Sequence, residues 1–367
     1  MQQQTSVWRY FDVWIITAVI ILTLYGILII SSAITNVPAY VGYERRQLIW
    51  MTLGLISFFI MAAIDYRILT SAHWFIYAGL VGLLVLVLVI DVQRNNVTGW
   101  IPIGSFAFHP AELLRILLPV TLGKFIADRQ REMHKFSTVV SSLIYIGIPI
   151  ALLFLQPDLG MSILIIVIWF GVIMVAGLRL QHFLILIVLG VGLIAVAYPR
   201  LQPYQKARIT TFVDPESDIE QSRNVTQAVI SIGSGGWFGK GYRNGPQAQL
   251  GYLRVQHTDF IFAVLSEEMG FFFGSFVVVA LIGFIILRTL RVASITPDPA
   301  GRNLCIGIAT LLFFQTLVSV GMNVQLLPVT GLTFPFVSYG GSSLLTLYLG
   351  LGIVQSVLMR HRKQAFG

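Results

Sequence analysis

A chain of 367 residues would ordinarily divide into two or three soluble domains, but the composition excludes that. Hydrophobic residues make up 56% of it and charged residues only 11%, against roughly 25% charged in soluble domains, and mean hydropathy is +0.82. The single cysteine, Cys305, lies in an apolar stretch, which excludes a disulfide and a cysteine-built zinc site.

Apolar runs long enough to cross about 30 Å of hydrocarbon recur near 11–33, 47–64, 73–90, 111–127, 139–156, 160–177, 181–199, 258–287, 303–324 and 339–358. The first follows a short polar tail, Met1 to Ser6, is too long for a signal-peptide core, and reads as a retained span. Backbone groups cannot stay unpaired in lipid, so runs of this kind must be helices. The expected fold is an all-α polytopic membrane protein with about ten transmembrane helices. It forms one integral domain over residues 1–367, with a long structured outer loop, 200–256, between helices 7 and 8.

Ten spans put both termini on one side. That side carries Arg9, Arg67, Lys124, Arg129, Arg131, Lys135, Arg179, Arg288, Arg291, Arg302, Arg360, Arg362 and Lys363, mostly in short loops, so the positive-inside rule makes it cytoplasmic. The opposite side carries Arg200, Lys206, Arg208, Arg223, Lys240, Arg243 and Arg254, mainly in the long connection. Long loops cross largely regardless of charge. These cations either attract an anionic partner or balance Asp214, Glu216, Asp218 and Glu220. No nucleic-acid partner is expected.

A carboxylate in a span is expensive unless paired or facing water, which makes each one a functional candidate. Asp259, in QHTDFIFAVLSEEMGF, stands where outer water meets the bundle. There it can act as a general base, or, with Thr258, merely cap a helix. Helical spacing would put the small residues Ala263 and Ser266 on its face, while Glu267 and Glu268 can pair structurally. In TGWIPIGSFAFHPAELLRI, Glu112 and Arg115 share a helix face. Either they are structural glue, or Arg115 holds an anion. Trp100, Ile101 and Ile103 read as an interfacial segment. Asp158 in FLQPDLG is placed to cap a helix after Pro157. In LLPVTGLTFPFVSYGGSSLL, irregular backbone at membrane depth requires a protein-lined cavity. Gly340 and Gly341 there would leave N–H groups free for phosphate oxygens, with Ser338 and Ser342 beside them, unless the segment is a plain turn. SIGSGGWFGKGYRNGPQ is a second glycine-rich segment, with Lys240 and Arg243 as phosphate ligands, but it lacks the P-loop pattern.

Together these segments resemble the SEDS family (shape, elongation, division and sporulation) of RodA and FtsW membrane proteins. The resemblance runs from the first span to the last and is densest in QKARITTFVDPESD, QAVISIGSGGWFGKGY, QLGYLRVQHTDFIFAVLSEEMG and PVTGLTFPFVSYGGSSLL. The short tails and the ARITTFVDPESD form look closer to RodA. The resemblance implies a peptidoglycan glycosyltransferase of the bacterial cytoplasmic membrane, serving cell elongation and shape. It would polymerise lipid II at the outer leaflet beside a class B penicillin-binding protein as transpeptidase partner. By that likeness Asp259 is catalytic, and Trp100, Glu112 and Asp158 match further functional motifs. Two departures stand out. HPAELLR replaces the usual QPSE..K, so His109 and Arg115 stand for Gln and Lys, and Gly99 occupies a position where a cation is frequent.

The mechanism so implied is a single inverting displacement of undecaprenyl diphosphate. Charge neutralisation would come from Arg115, Lys240, Arg243 and Arg46. No cofactor is required by the sequence, although a divalent cation, Mg or Mn, could assist on the diphosphate. The competing classes are a lipid II flippase, which should show a polar path through both leaflets and repeat symmetry, a division-type polymerase, and a non-catalytic scaffold.

Overall fold

The computed structural model describes residues 7–90, 93–94, 97–103, 106–197, 199, 205–206, 210–212, 214 and 219–366. Helices occupy all ten expected positions: α1 (Val13–Ala33), α2 (Tyr43–Ala63), the short α3 (Tyr66–Ser71), α4 (His73–Ile90), α5 (Pro110–Ala127), α6 (Phe136–Leu155), α7 (Leu159–Val175) and α8 (Leu180–Ala197). The long connection contributes α9 (Ile219–Gly235) and α10 (Pro246–Gln249). Then come α11 (Ile261–Gly270), a π-helical segment (Phe271–Phe276), α12 (Val277–Ile295), α13 (Pro299–Asn323) and α14 (Gly341–Phe366). Among the described residues, seven helices are long and apolar enough to cross a membrane, counting Ile261–Ile295 as one run of 35 residues. Of the expected spans outside that set, α5 carries Glu112, Arg115 and Lys124, α7 has 17 residues, and α8 counts as the shorter apolar helix Leu180–Gly190.

The helix ends follow local chemistry. Asp12 caps α1 by accepting from Trp14 N (3.0 Å) and also pairs with Arg288 of α12 (2.5 Å). Pro110 and Pro299 occupy first turns, where a missing N–H costs nothing. Two short antiparallel hairpins, β1–β2 (Gln93–Arg94, Val97–Thr98) and β3–β4 (Ile101–Ile103, Phe106–Phe108), qualify the all-helical expectation. They lie between α4 and α5, and the Trp100–Ile103 segment read as interfacial leads into the second of them.

The core is built around α14. Small residues let its backbone approach α2 and gain van der Waals contact that lipid cannot supply. A Cβ at Gly54 would stand 2.8 Å from the Tyr348 ring, and one at Gly352 would stand 2.5 Å from the Phe58 carbonyl oxygen. The Tyr348 hydroxyl closes the contact on α1 through Thr23 Oγ1 (3.0 Å).

The long connection is a structural plug. Helix α11 is buried on nearly every side and breaks at Gly270, which has φ +73°. The broken ladder is completed from residues 236–241. Lys240 N and Gly241 N donate to the carbonyls of Glu267 (3.0 Å) and Glu268 (2.9 Å), while Phe271 N and Phe272 N donate to those of Gly236 (2.9 Å) and Trp237 (3.1 Å). Buried backbone groups are thereby satisfied, as an interrupted membrane helix requires. The glycine-rich segment that offers Lys240 and Arg243 as phosphate ligands thus spends the N–H groups of Lys240 and Gly241 on a broken helix. Glu267 and Glu268 serve the same junction. The Glu267 carboxylate accepts from Gln247 N (3.0 Å) and Ala248 N (3.3 Å), and that of Glu268 from Ser32 Oγ (2.5 Å) and Gln249 Nε2 (3.3 Å).

Gly239 (φ +81°) and Gly270 carry both requirements of this junction, a left-handed backbone and an approach too close for any Cβ, whereas Gly251 (φ +71°) has open space around it. Gly251→Ala should therefore cost only the backbone strain, about 1 kcal/mol. Gly239→Ala and Gly270→Ala are expected to lower the melting temperature of the detergent-solubilised protein distinctly more; equal shifts for all three would show that the plug is not tightly packed.

Candidate active site

The polar motifs meet at one end of the bundle, where the connections from α1 to α2, α4 to α5, α6 to α7, α8 to α11 and α13 to α14 touch one another. Asn36 donates to Gln249 O (2.9 Å), Gln256 to Ala33 O, and Ser338 to Thr258 O (2.6 Å).

Asp259 is not the cap of α11. The helix starts at Ile261 with Phe260 as its N-cap, so Asp259 lies one residue ahead of the cap position. The helical register that placed Ala263 and Ser266 on its face does not reach it. Half-buried Asp259 instead lines a cleft of about 210 Å³ with Thr211, Phe212, Ser222, Asn224, Val225, Val255, Phe260, Gln325, Leu327, Pro328 and Val329. The long connection thus forms one wall and the α13–α14 segment another. Among the described lining residues Asp259 is the one ionisable side chain.

A second polar cluster surrounds Arg115, whose side chain is fully buried. Its Nη2 lies 2.5 Å from Glu112 Oε2 and donates to Ser343 Oγ (2.7 Å), as the i,i+3 spacing anticipated for the acid. The Ser343 hydroxyl meets Thr333 Oγ1 (2.9 Å), and Gln315 Nε2 donates to Thr333 O (2.6 Å). Arg115 Nε and Nη1 have no hydrogen-bond partner among the described residues. Asp158 does cap α7 through Met161 N (3.1 Å), and its other oxygen stands 4.0 Å from His109 Nε2. Trp100 lies against His109 with ring centroids 4.8 Å apart. A Cβ at Gly99 would stand 2.6 Å from His109 Nε2, so the two departures at positions 99 and 109 fill one space between them.

The segment 324–340 bridges the two clusters. Leu327, Pro328 and Val329 line the Asp259 cleft, the Thr330 carbonyl packs on Gly160 beside Asp158, Thr333 joins Arg115 through Ser343, and Ser338 returns to Thr258. The idea of a free glycine N–H in this segment is corrected for Gly340. Gly340 N donates to Gln47 Oε1 (3.3 Å), and Gly341 stands so close to the Trp50 indole that no Cβ fits. Ser338 is buried with both sides of its hydroxyl used, accepting from Phe334 N (2.9 Å) while donating to Thr258 O, and Ser342 is buried at the start of α14. Lys240 and Arg243 are exposed, with Arg243 Nη2 reaching Ser31 Oγ (3.2 Å). Arg46 lies 5.6 Å above the Tyr43 ring. Arg200, Arg208, Glu216 and Asp218 lie outside the described residues.

Sequence reading missed Asn323, Gln47, Gln315 and the ring cluster of Tyr40, Tyr43, His257 and Tyr339. None of these stands in a spacing that marks it; only the rarity of polar residues inside apolar runs could have drawn attention to Gln315 and Asn323.

The fold and site define a polytopic helical membrane protein with an aspartate cleft and a buried arginine–carboxylate cluster at one end of its bundle. Residues 11–363 match the family described as cell cycle protein, FtsW/RodA/SpoVE. The chain belongs to that family. It is 34% identical over 356 residues to the peptidoglycan glycosyltransferase MrdB of Escherichia coli (strain K12), covering 96% of this chain and 95% of that one. It is 31% identical over 359 residues to stage V sporulation protein E of Bacillus subtilis (strain 168), covering 94% and 96%. A solved chain from a peptidoglycan synthase complex that coordinates polymerization and crosslinking superposes with a TM-score of 0.82 at 30% identity, over 97% of this chain and 99% of that one.

His257 offers a test of the ring cluster. Its ring lies 4.2 Å from Tyr40 and 5.5 Å from Tyr43, and burial lowers its pKa from 6.5 to about 4. Between pH 6.5 and 4 the unfolded chain binds a proton that the folded chain does not, so this residue removes stability as pH falls. His257→Phe keeps a ring in the stack and should flatten the decline in melting temperature between pH 7 and pH 5; an unchanged decline would place the acid sensitivity elsewhere.

Proposed function

We infer that this chain, a peptidoglycan glycosyltransferase by family, polymerises lipid II at the outer leaflet of the bacterial cytoplasmic membrane with Asp259 as general base. The observation that carries the role of Asp259 is its place in the cleft: it lies ahead of the N-cap of α11 and is the one ionisable side chain among the described lining residues. Asp259 takes the proton of the acceptor GlcNAc 4-hydroxyl. The oxygen attacks the anomeric carbon of the donor MurNAc, a β-linkage forms, and the bond to undecaprenyl diphosphate breaks. One displacement on an α-linked donor inverts the centre.

The leaving diphosphate needs charge neutralisation more than a proton. Fully buried Arg115, whose Nε and Nη1 have no hydrogen-bond partner among the described residues, supports that role, with Trp100, Glu112 and Asp158 shaping the same cluster. Lys240 and Arg243 stand exposed at the rim, while Ser338, Gly340, Gly341 and Ser342 act through the backbone they hold. Among the described residues no three His, Cys, Asp or Glu side chains stand together as a metal site. A Mg or Mn ion bound with the substrate diphosphate would add to this neutralisation, and the proton and bond steps use the chain's own groups.

The basic loops favour cytoplasmic termini and an outward-facing cleft. The likeness to a chain of a peptidoglycan synthase complex supports a class B penicillin-binding protein as transpeptidase partner. The RodA-like form of the ARITTFVDPESD segment favours service in elongation and shape over division.

Asp259→Asn is nearly isosteric. Incubated with lipid II, and with or without the partner, the purified variant should lose glycan synthesis by at least about 100-fold on gels, the scale of a general base, while folding and partner binding persist. Full synthesis by Asp259→Asn would remove it from the chemistry. Movement of labelled lipid II between leaflets without polymer would favour a transporter instead.

A further inference from the structure

We propose that Asn323 and Ser338 are positioning residues for Asp259, holding the peptide planes on both sides of its Cα. The proposal rests on the reading of Asp259 as the base.

Residues 251–260 form turns before α11 begins, so the carbonyls of His257, Thr258 and Asp259 stand outside its regular helix. Each of the three ends on a donor from the α13–α14 segment. Tyr339 N donates to His257 O (2.9 Å), Ser338 Oγ to Thr258 O (2.6 Å), and Asn323 Nδ2 to Asp259 O (3.0 Å). The Thr258 carbonyl belongs to the peptide plane preceding the Asp259 Cα, and the Asp259 carbonyl to the plane following it. Fixing both planes fixes φ and ψ of Asp259, and with them the direction in which its Cβ leaves the backbone.

Both anchors are themselves held. Asn323 is fully buried at the end of α13, and its Nδ2 also donates to Ser319 O (2.8 Å) one turn back. Its Oδ1 has no hydrogen-bond partner among the described residues, so the amide acts here as a two-pronged donor between α13 and the Asp259 segment. Ser338 is 5% exposed, and its hydroxyl is oriented by Phe334 N. Gln47 of α2 then secures the Ser338 carbonyl (3.1 Å). The wall of the Asp259 cleft, Leu327–Val329, lies between the two anchors in sequence. The same segment therefore shapes the cleft and aims the carboxylate into it.

A misaimed base should slow the chemical step more than it weakens substrate binding. Initial rates of glycan synthesis by the full-length protein with its partner, measured against fluorescent lipid II concentration and normalised to the folded fraction, test this. Asn323→Ala and Ser338→Ala should each lower kcat on the order of 10- to 100-fold, with KM within about twofold. Asn323→Asp keeps the shape but loses both donors, so it should behave like Asn323→Ala. Ser338→Thr keeps the hydroxyl and should restore most of the rate. The double alanine variant should lose less than the product of the single losses, because both act on one vector. Unchanged kcat in both alanine variants, or KM rising in step with the fall in kcat, would overturn the positioning role. If Asn323→Ala fails to fold, Ser338→Ala against Ser338→Thr decides. Asp259→Asn runs beside them: an active Asp259→Asn defeats the base itself, whereas an inactive one beside fully active anchor variants defeats only this proposal.

Discussion

A backbone carbonyl in a membrane bundle must find a donor, and that constraint organises the functional end of this protein. Three successive carbonyls at residues 257–259 fall outside a regular helix, and the α13–α14 segment supplies a donor to each. Because that segment is tied to α2 through Gln47 and to the Arg115 cluster through Thr333, one irregular stretch connects the carboxylate with the buried cation. An unmade bond here would expose a polar group at a depth where water is scarce. The irregularity is therefore costly to rearrange, which suits a site that must hold its groups still.

The break in Ile261–Ile295 is governed by the same rule. Gly270 interrupts the ladder, and residues 236–241 complete it with their own N–H and carbonyl groups. The plug also brings the exposed cations Lys240 and Arg243 to the same end of the bundle as Asp259. The buried carboxylates of Glu267 and Glu268 hold α10, its neighbouring residues and α1 to α11. Two acids that look alike in sequence to Asp259 thus end up bonded within the fold, Glu267 through both carboxylate oxygens and Glu268 through Oε1, while Asp259 lines a cleft. Position relative to the start of the helix separates them, since Asp259 precedes the first turn and the glutamates lie in the last.

The Arg115 cluster shows how a local pattern is completed by distant parts of the chain. The Glu112–Arg115 pair follows from i,i+3 geometry, and Asp158 capping α7 follows from its place after a helix break. That Ser343, more than two hundred residues away, receives the guanidinium follows from neither. The ring of His109 in the space beside Gly99 is likewise a tertiary fact. Each residue alone looks like a loss of the usual side chain; together they exchange volume.

The sequence by itself determined where the ten long apolar helices lie, and the small set of acids and glycine breaks from which a site could be made. Hydropathy runs and scarce charges are local signals, and lipid leaves the backbone little choice but to form helices. Tertiary structure alone decided that Asp259 lines a cleft while Glu267 and Glu268 hold the junction at Gly270, and it gave one glycine-rich segment the backbone role of completing a broken helix. It also enlisted Asn323, Ser338 and Gln47, whose donors matter only because carbonyls far away in the chain arrive beside them. A spacing rule reaches as far as one helix; the pairing of irregular backbone at the end of a bundle depends on how several helices pack, and no short stretch of sequence encodes that.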